Sequence, residues 1–199
     1  MNIDYTLLHQ ITFYTMFVCL ALAVFVAVER LLFYIFTLRH ARQLEELVTG
    51  HKGPLETLPD EMIGHDSVPA QAVRRMIEER SRVTNAHDVQ SLSSAIFLAL
   101  KARLQRNLWV LDTIVTAAPL LGLLGTILGI IETFTTLATS GVSDPKGVSG
   151  GIGTALLATA LGIAIALFGL AFLNHFHDRV DRISEHLKVL LLRASINKA

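Results

Sequence analysis

The chain has 199 residues, 52% hydrophobic and 17% charged, with a mean hydropathy of +0.51. Its apolar residues stand in blocks long enough to cross a bilayer, which takes about 20 residues as helix, and this excludes an ordinary soluble domain. Seventeen Lys and Arg balance seventeen Asp and Glu, so net charge gives no reason to expect a nucleic-acid partner.

Residues 1–10 carry no Lys or Arg. With no basic n-region and no small-residue cleavage site, the first apolar block reads as a retained span and not as a signal peptide. That block, transmembrane helix 1, takes residues 11–38: an uncharged run from Ile11 to Val28, the pair Glu29-Arg30, then a second apolar run, LLFYIFTL. At about 1.5 Å per residue the uncharged part spans roughly 27 Å, which puts Glu29 and Arg30 at a membrane edge as a charge pair. The one cysteine, Cys19, lies in this block and reads as a small apolar side chain.

Residues 39–107 form a polar, mostly helical domain. Within it HKGPLETLPDEMIGHDSVP is rich in Gly, Pro and acids and reads as loop. Two stretches, AQAVRRMIEERSR and DVQSLSSAIFLALKARLQR, read as helices; in the second, Val89, Leu92, Ile96 and Leu100 make one apolar stripe. Transmembrane helix 2 takes residues 108–137. A breaker-rich loop, 138–150, joins it to transmembrane helix 3, residues 151–173. The last segment, 174–199, keeps Phe176, Val180, Ile183, Leu187 and Leu190/Leu191 on helical spacing and extends helix 3 as an amphipathic rod.

Basic residues give the orientation. Ten of the seventeen lie between Arg39 and Arg106 and five in the tail, whereas the 138–150 loop holds only Lys146. The positive-inside rule puts residues 39–107 and the tail in the cytoplasm, and residues 1–10 and the 138–150 loop on the outer, periplasmic side.

The second and third spans are unusual in composition. Lipid is as apolar as leucine, so helices in a bilayer associate by close packing and interhelical hydrogen bonds, which small residues permit. Gly122, Gly125, Thr126 and Gly129 share one broad face of the second span. Gly151, Ala155, Ala158, Gly162, Ala166 and Gly169 repeat at spacings of three and four on the third. Pro119, inside the second span, cannot donate to the carbonyl of Val115. Thr126 lies mid-span, Thr159 a third of the way into the next span and Thr154 nearer its outer end. A membrane threonine either bonds the carbonyl four residues back or offers its hydroxyl to something else, and position alone leaves both open. Asp112 and Glu132 are the acids of the second span; the third has no acid or base. A proton relay built from this chain alone lacks a mid-membrane carboxylate.

The run AAPLLGLLGTILGIIETF, followed by GGIGTALLATALGIAIALFGLAFLNHF, resembles the ExbB/TolQ/MotA proton-channel family, and the ExbB/TolQ branch most closely. The residues that carry the resemblance are Pro119, Gly122 to Thr126, Gly151, Ile152, Ala155, Leu156, Thr159, Ala160, Gly162 and Asn174, with Glu29-Arg30 after the first span. The resemblance covers all three spans and the long insert. It implies an all-α integral membrane protein whose three transmembrane helices carry long cytoplasmic extensions and assemble into a five-subunit ring in the bacterial inner membrane. It further implies an ExbD/TolR-like single-span partner in the pore, carrying an aspartate, and a TonB-like or other periplasm-spanning effector that receives the work. Thr126, Thr159 and Thr154 are then pore-lining residues of the proton path, and Pro119, Gly122, Gly125, Gly129, Gly151, Ala155, Ala158 and Gly162 pack around the partner. Two positions depart from the family: Thr154 stands where ExbB and TolQ chains carry a glutamate, and Phe168 where many carry a proline.

The competing reading is a non-conducting helical scaffold that oligomerises through its small-residue faces. Enzymatic readings find no support. The eight histidines read as lying outside the apolar cores, and His175 and His177 point to different faces of a helix, a poor metal pair. No nucleophile motif or phosphate loop is present, and neither metal nor cofactor is expected.

Overall fold

A computed structural model describes residues 5–50, 67–80, 85–140 and 145–196. Among the described residues every regular element is an α-helix: α1 (Tyr5–Gly50), α2 (Val68–Arg80), α3 (Ala86–Leu104), α4 (Leu108–Ser140) and α5 (Pro145–Ile196). Helices α1, α4 and α5 are long and apolar enough to cross a membrane.

The helices run further than the apolar blocks. Helix α1 begins at Tyr5, inside the segment expected to precede the first span, and passes residue 38 without a break. Leu38, Ala41, Leu44 and Val48 are buried at spacings of three and four, so the change from apolar to polar composition does not interrupt the helical stripe. Residues 138–150, expected as loop, are helical at both ends, since α4 reaches Ser140 and α5 opens at Pro145. Proline suits the first turn of a helix, where its fixed φ is pre-set and its missing N–H is needed by no acceptor. The expected loop before α2 lies outside the described residues up to position 66. Ser67 then caps α2, its hydroxyl oxygen accepting the Ala70 N–H at 3.3 Å. Helix α3 ends in a short turn in which Asn107 takes a left-handed φ of 68°, a conformation asparagine tolerates, before α4 begins.

The chain divides into two compact units, one formed by residues up to Val28 with Asn107–Asn174, the other by Glu29–Arg106 with the residues from His175 onward. In the first, much of the interior is small: Ala23, Ala27, Ala118, Ala155, Ala158 and Ala166 are buried, as are Gly122, Gly125, Gly129 and Gly162. Its large apolar side chains face outward, Tyr14, Phe17, Phe25, Leu120, Leu156 and Leu167 among them. That inversion suits a unit whose surroundings are lipid. The second unit follows the aqueous rule. Tyr34, Leu44, Met76, Leu104 and Phe176 are fully buried, together with Ile183, Leu187, Leu190 and Leu191 of the tail stripe. The Tyr34 hydroxyl donates to the Leu104 carbonyl at 2.8 Å, and its ring meets that of Phe176 at 5.4 Å between centroids. Of the α3 stripe, Val89, Ile96 and Leu100 are buried and Leu92 is half-buried.

Candidate functional site

The seam between α4 and α5 is closed by backbone against backbone. A β-carbon on Gly162 would lie 2.5 Å from the Ala118 carbonyl oxygen and 3.1 Å from the Gly122 α-carbon. One on Gly122 would lie 2.9 Å from the Ala158 carbonyl oxygen and 3.1 Å from the Thr159 α-carbon. Gly125 and Gly129 are each held against an alanine methyl, of Ala158 and Ala155, where an added β-carbon would come within 2.9 Å. Gly125 also faces the Thr12 methyl group of α1. At the end of the seam, a side chain on Gly151 would collide with the Thr133 hydroxyl. The small residues singled out in the two spans thus meet one another, and the immediate reason they are small is contact between these helices.

That closeness brings two threonines together. Thr126 and Thr159, on different helices, share a hydrogen bond between their hydroxyls. The Thr126 hydroxyl also lies 2.9 Å from the Ala155 carbonyl across the seam and 3.1 Å from its own helix's Gly122 carbonyl; Thr159 reaches the same Gly122 carbonyl at 3.2 Å. Both side chains are half-buried. Two hydroxyl protons therefore face four oxygens. One hydroxyl donates to the other, the second donates to a carbonyl, and lone pairs remain for an outside donor. Thr154 does not join them. It is exposed and donates to the Gly151 carbonyl at 2.8 Å. Pro119 is accommodated within α4, one residue after the Ala118 carbonyl that abuts Gly162.

In the other unit, Arg30 is buried with its Nε 2.8 Å from Glu29 Oε2, without the alignment of a hydrogen bond. Its guanidinium sits 5.1 Å above the Phe33 ring, so the cation is compensated by a carboxylate and an aromatic face together.

One cluster escaped sequence reasoning. His9 is enclosed within the membrane-type unit, not outside the apolar cores as expected; its side chain is 15% exposed. Its Nδ1 lies 3.3 Å from Glu132 Oε2, and its ring meets Phe13 edge-on. Its Nε2 is buried with no hydrogen-bond partner and points at Gly129, where a β-carbon would come within 3.2 Å. These residues line a cavity of about 640 Å³ together with Thr133, Thr136, Gly151 and Thr154. The available signal was the acid in an apolar span; nothing in the sequence pairs it with a residue 123 positions earlier. Among the described residues no three metal-ligating side chains converge, and His175 and His177 are both exposed.

A family model for the MotA/TolQ/ExbB proton channel family matches residues 65–189, more than half of the chain. The chain belongs to that family. Its relatives in the ExbB branch include a putative biopolymer transport protein ExbB homolog from Methanothermobacter thermautotrophicus, 32% identical over 147 residues, which are 73% of this chain and 50% of that protein. The biopolymer transport protein ExbB of Helicobacter pylori is 40% identical over 92 residues, 46% of this chain and 63% of that one. The biopolymer transport protein exbB1 of Vibrio cholerae is 30% identical over 185 residues, 86% of this chain and 78% of the relative. The chain thus spans about half to two thirds of the first two relatives. The MotA/TolQ/ExbB family consists of transmembrane proton-channel subunits rather than enzymes, in keeping with the three apolar helices described above.

Proposed function

We propose that this chain is the ring-forming subunit of a proton-driven motor in the bacterial inner membrane, and that Thr126 and Thr159 belong to its proton path. The observation that carries the reading is the hydroxyl pair itself. Two threonines on different helices, each already hydrogen-bonded and each with acceptor capacity left, sit in a span region that offers no carboxylate of its own. A buried carboxylate is costly when charged and unpaired. A single-span partner of ExbD/TolR type, lodged in a five-subunit ring with an aspartate at this depth, would find in the pair an acceptor when protonated and, when ionised, a donor once one hydroxyl turns its proton away from a carbonyl. Family membership supports the ring, the partner and a periplasm-spanning effector of TonB type. Thr154 contributes less, being exposed and bonded to its own helix.

Valine matches threonine in shape and lacks the hydroxyl. In complex purified through a tag on this chain and reconstituted in vesicles, Thr126→Val with Thr159→Val should leave oligomer mass unchanged and stop most proton flux. Normal flux in that double variant would reduce the threonines to packing and favour the scaffold reading.

The proposed topology places residues 39–107 and 174–199 in the cytoplasm, with residues 1–10 and the 138–150 loop outside. It rests on fifteen basic residues against one, from ten plus five in the two inner segments and Lys146 in the loop. After replacing Cys19, a cysteine at Ser143 should react with an impermeant reagent added outside, and one at Ser67 should not. The reverse pattern inverts the orientation.

A further inference from the structure

The cavity around His9 is a chemically equipped space in the membrane-type unit that the threonine path does not use. We infer that the His9–Glu132 pair is a proton-loading site that feeds the Thr126–Thr159 pair about two helical turns deeper than Glu132; this rests on the proton-path reading above. Histidine and carboxylate stand 3.3 Å apart on different helices, both largely shielded. With a single proton between them the pair is neutral overall, whether the proton produces imidazole facing carboxylic acid or imidazolium facing carboxylate. The proton therefore changes sides at no cost in net charge, and handing it onward leaves a carboxylate facing a neutral imidazole, a charge that water in the cavity can solvate.

The surroundings favour transit over a static ion pair. The cavity of about 640 Å³ is roomy enough for water, and the hydroxyls on its wall are already donating: Thr133 to the Gly129 carbonyl at 2.7 Å, Thr136 to that of Glu132 at 2.9 Å, Thr154 to that of Gly151 at 2.8 Å. Thr133 and Thr154 keep lone pairs that can accept from water, so the wall orders water without competing for the proton. The second imidazole nitrogen, Nε2, is buried without a partner and aimed at Gly129. Gly129 is three residues from Thr126, roughly 4.5 Å along the helix axis. Across the seam it abuts Ala155, whose carbonyl faces the Thr126 hydroxyl. Imidazole is suited to such a position because it takes a proton at one nitrogen and releases one at the other. Among the described residues the other titratable groups at this end are Tyr5, one turn before His9 on α1, and Lys146 at the start of α5; neither lines the cavity. A side chain larger than glycine at position 129 would fill the space in front of Nε2.

The test uses the tagged complex in vesicles loaded with a pH-sensitive dye. Glu132→Gln and His9→Gln should each assemble and slow proton flux by about a hundredfold, the low end of what a positioned proton donor or acceptor contributes. The two together should be no worse than either alone, because they act as a unit. Glu132→Asp should recover part of the flux. In the infrared difference spectrum between two pH values, a carboxyl band should disappear in Glu132→Gln, a readout independent of transport. Full flux in both glutamine variants, with the threonine double variant inactive, overturns the loading site and leaves the threonine path standing. Slow glutamine variants with a normal threonine double variant keep the loading site and overturn the path beyond it. Flux driven by sodium and indifferent to pH overturns the loading site as a proton site.

Discussion

The two units of this chain bury opposite things. Among the described residues, the largest fully buried side chains of the membrane-type unit are Met16, Leu111 and Ile165; Tyr34, Phe176, Leu44, Met76, Leu104 and the tail leucines belong to the other unit. The contrast follows from the surroundings. Where water is the alternative, burying a large apolar group is itself favourable, by about 25 cal/mol per Å². Where lipid is the alternative that gain vanishes, and contact is won by closeness, so glycine and alanine take the interior and leucine faces out. The difference teaches that one helix can obey both rules along its length. On α5, Gly162 is buried against backbone, whereas Leu187 and Leu190 are buried as full side chains.

Substitutions can break or sharpen that contrast. The largest effect is expected at Gly162, where even a β-carbon would sit 2.5 Å from the Ala118 carbonyl. Gly162→Leu goes well beyond the roughly 1–3 kcal/mol of ordinary overpacking and should leave no assembled complex, measured as oligomer mass in detergent. Normal assembly would show that the seam is not a rigid contact. Next comes Leu187→Ala in the other unit, where a fully buried leucine leaves a void; a loss of about 2–5 kcal/mol should show as a lower unfolding midpoint. If instead Leu187→Ala were harmless and Leu167→Ala, on the outward face of the membrane-type unit, were severe, the comparison would be reversed. Removing the hydroxyls of Thr126 and Thr159 should cost only about 0.6 kcal/mol each in stability, the usual worth of an interhelical hydrogen bond in a membrane. Their effect should thus fall on flux and not on assembly. Smallest is Arg182→Ala, which breaks an exposed pair with Asp178 at 2.9 Å one turn away; about 0.3–0.5 kcal/mol or less is expected from the same midpoint measurement.

The periodic features were legible in the sequence because they are local. Phe176, Val180, Ile183, Leu187, Leu190 and Leu191 stand on one helical stripe and are all buried. The glycine and alanine spacings of the second and third spans likewise predicted a close approach, and the seam is where they meet. Helix ends were less legible, because Pro145 stands in a breaker-rich segment and yet opens a helix. Thr126 and Thr159 could be singled out, but their mutual hydrogen bond depends on the register of two helices, which no local spacing encodes. His9 was hidden for the same reason. Its partner is remote in the chain, and its own neighbours describe only the start of an apolar helix.

The glycine seam also has a calorimetric consequence. Glycine and alanine have no side-chain rotamers to freeze, so closing the contact around Gly122 and Gly162 orders little beyond the backbone already fixed in helix. Separating those helices within lipid exposes no apolar surface to water, which is the source of the heat-capacity increase on unfolding. Nearly all of that increment should therefore come from the unit built on Tyr34, Leu187 and Phe176. The stability of the seam should vary with temperature along a nearly straight line, while that of its companion follows a dome.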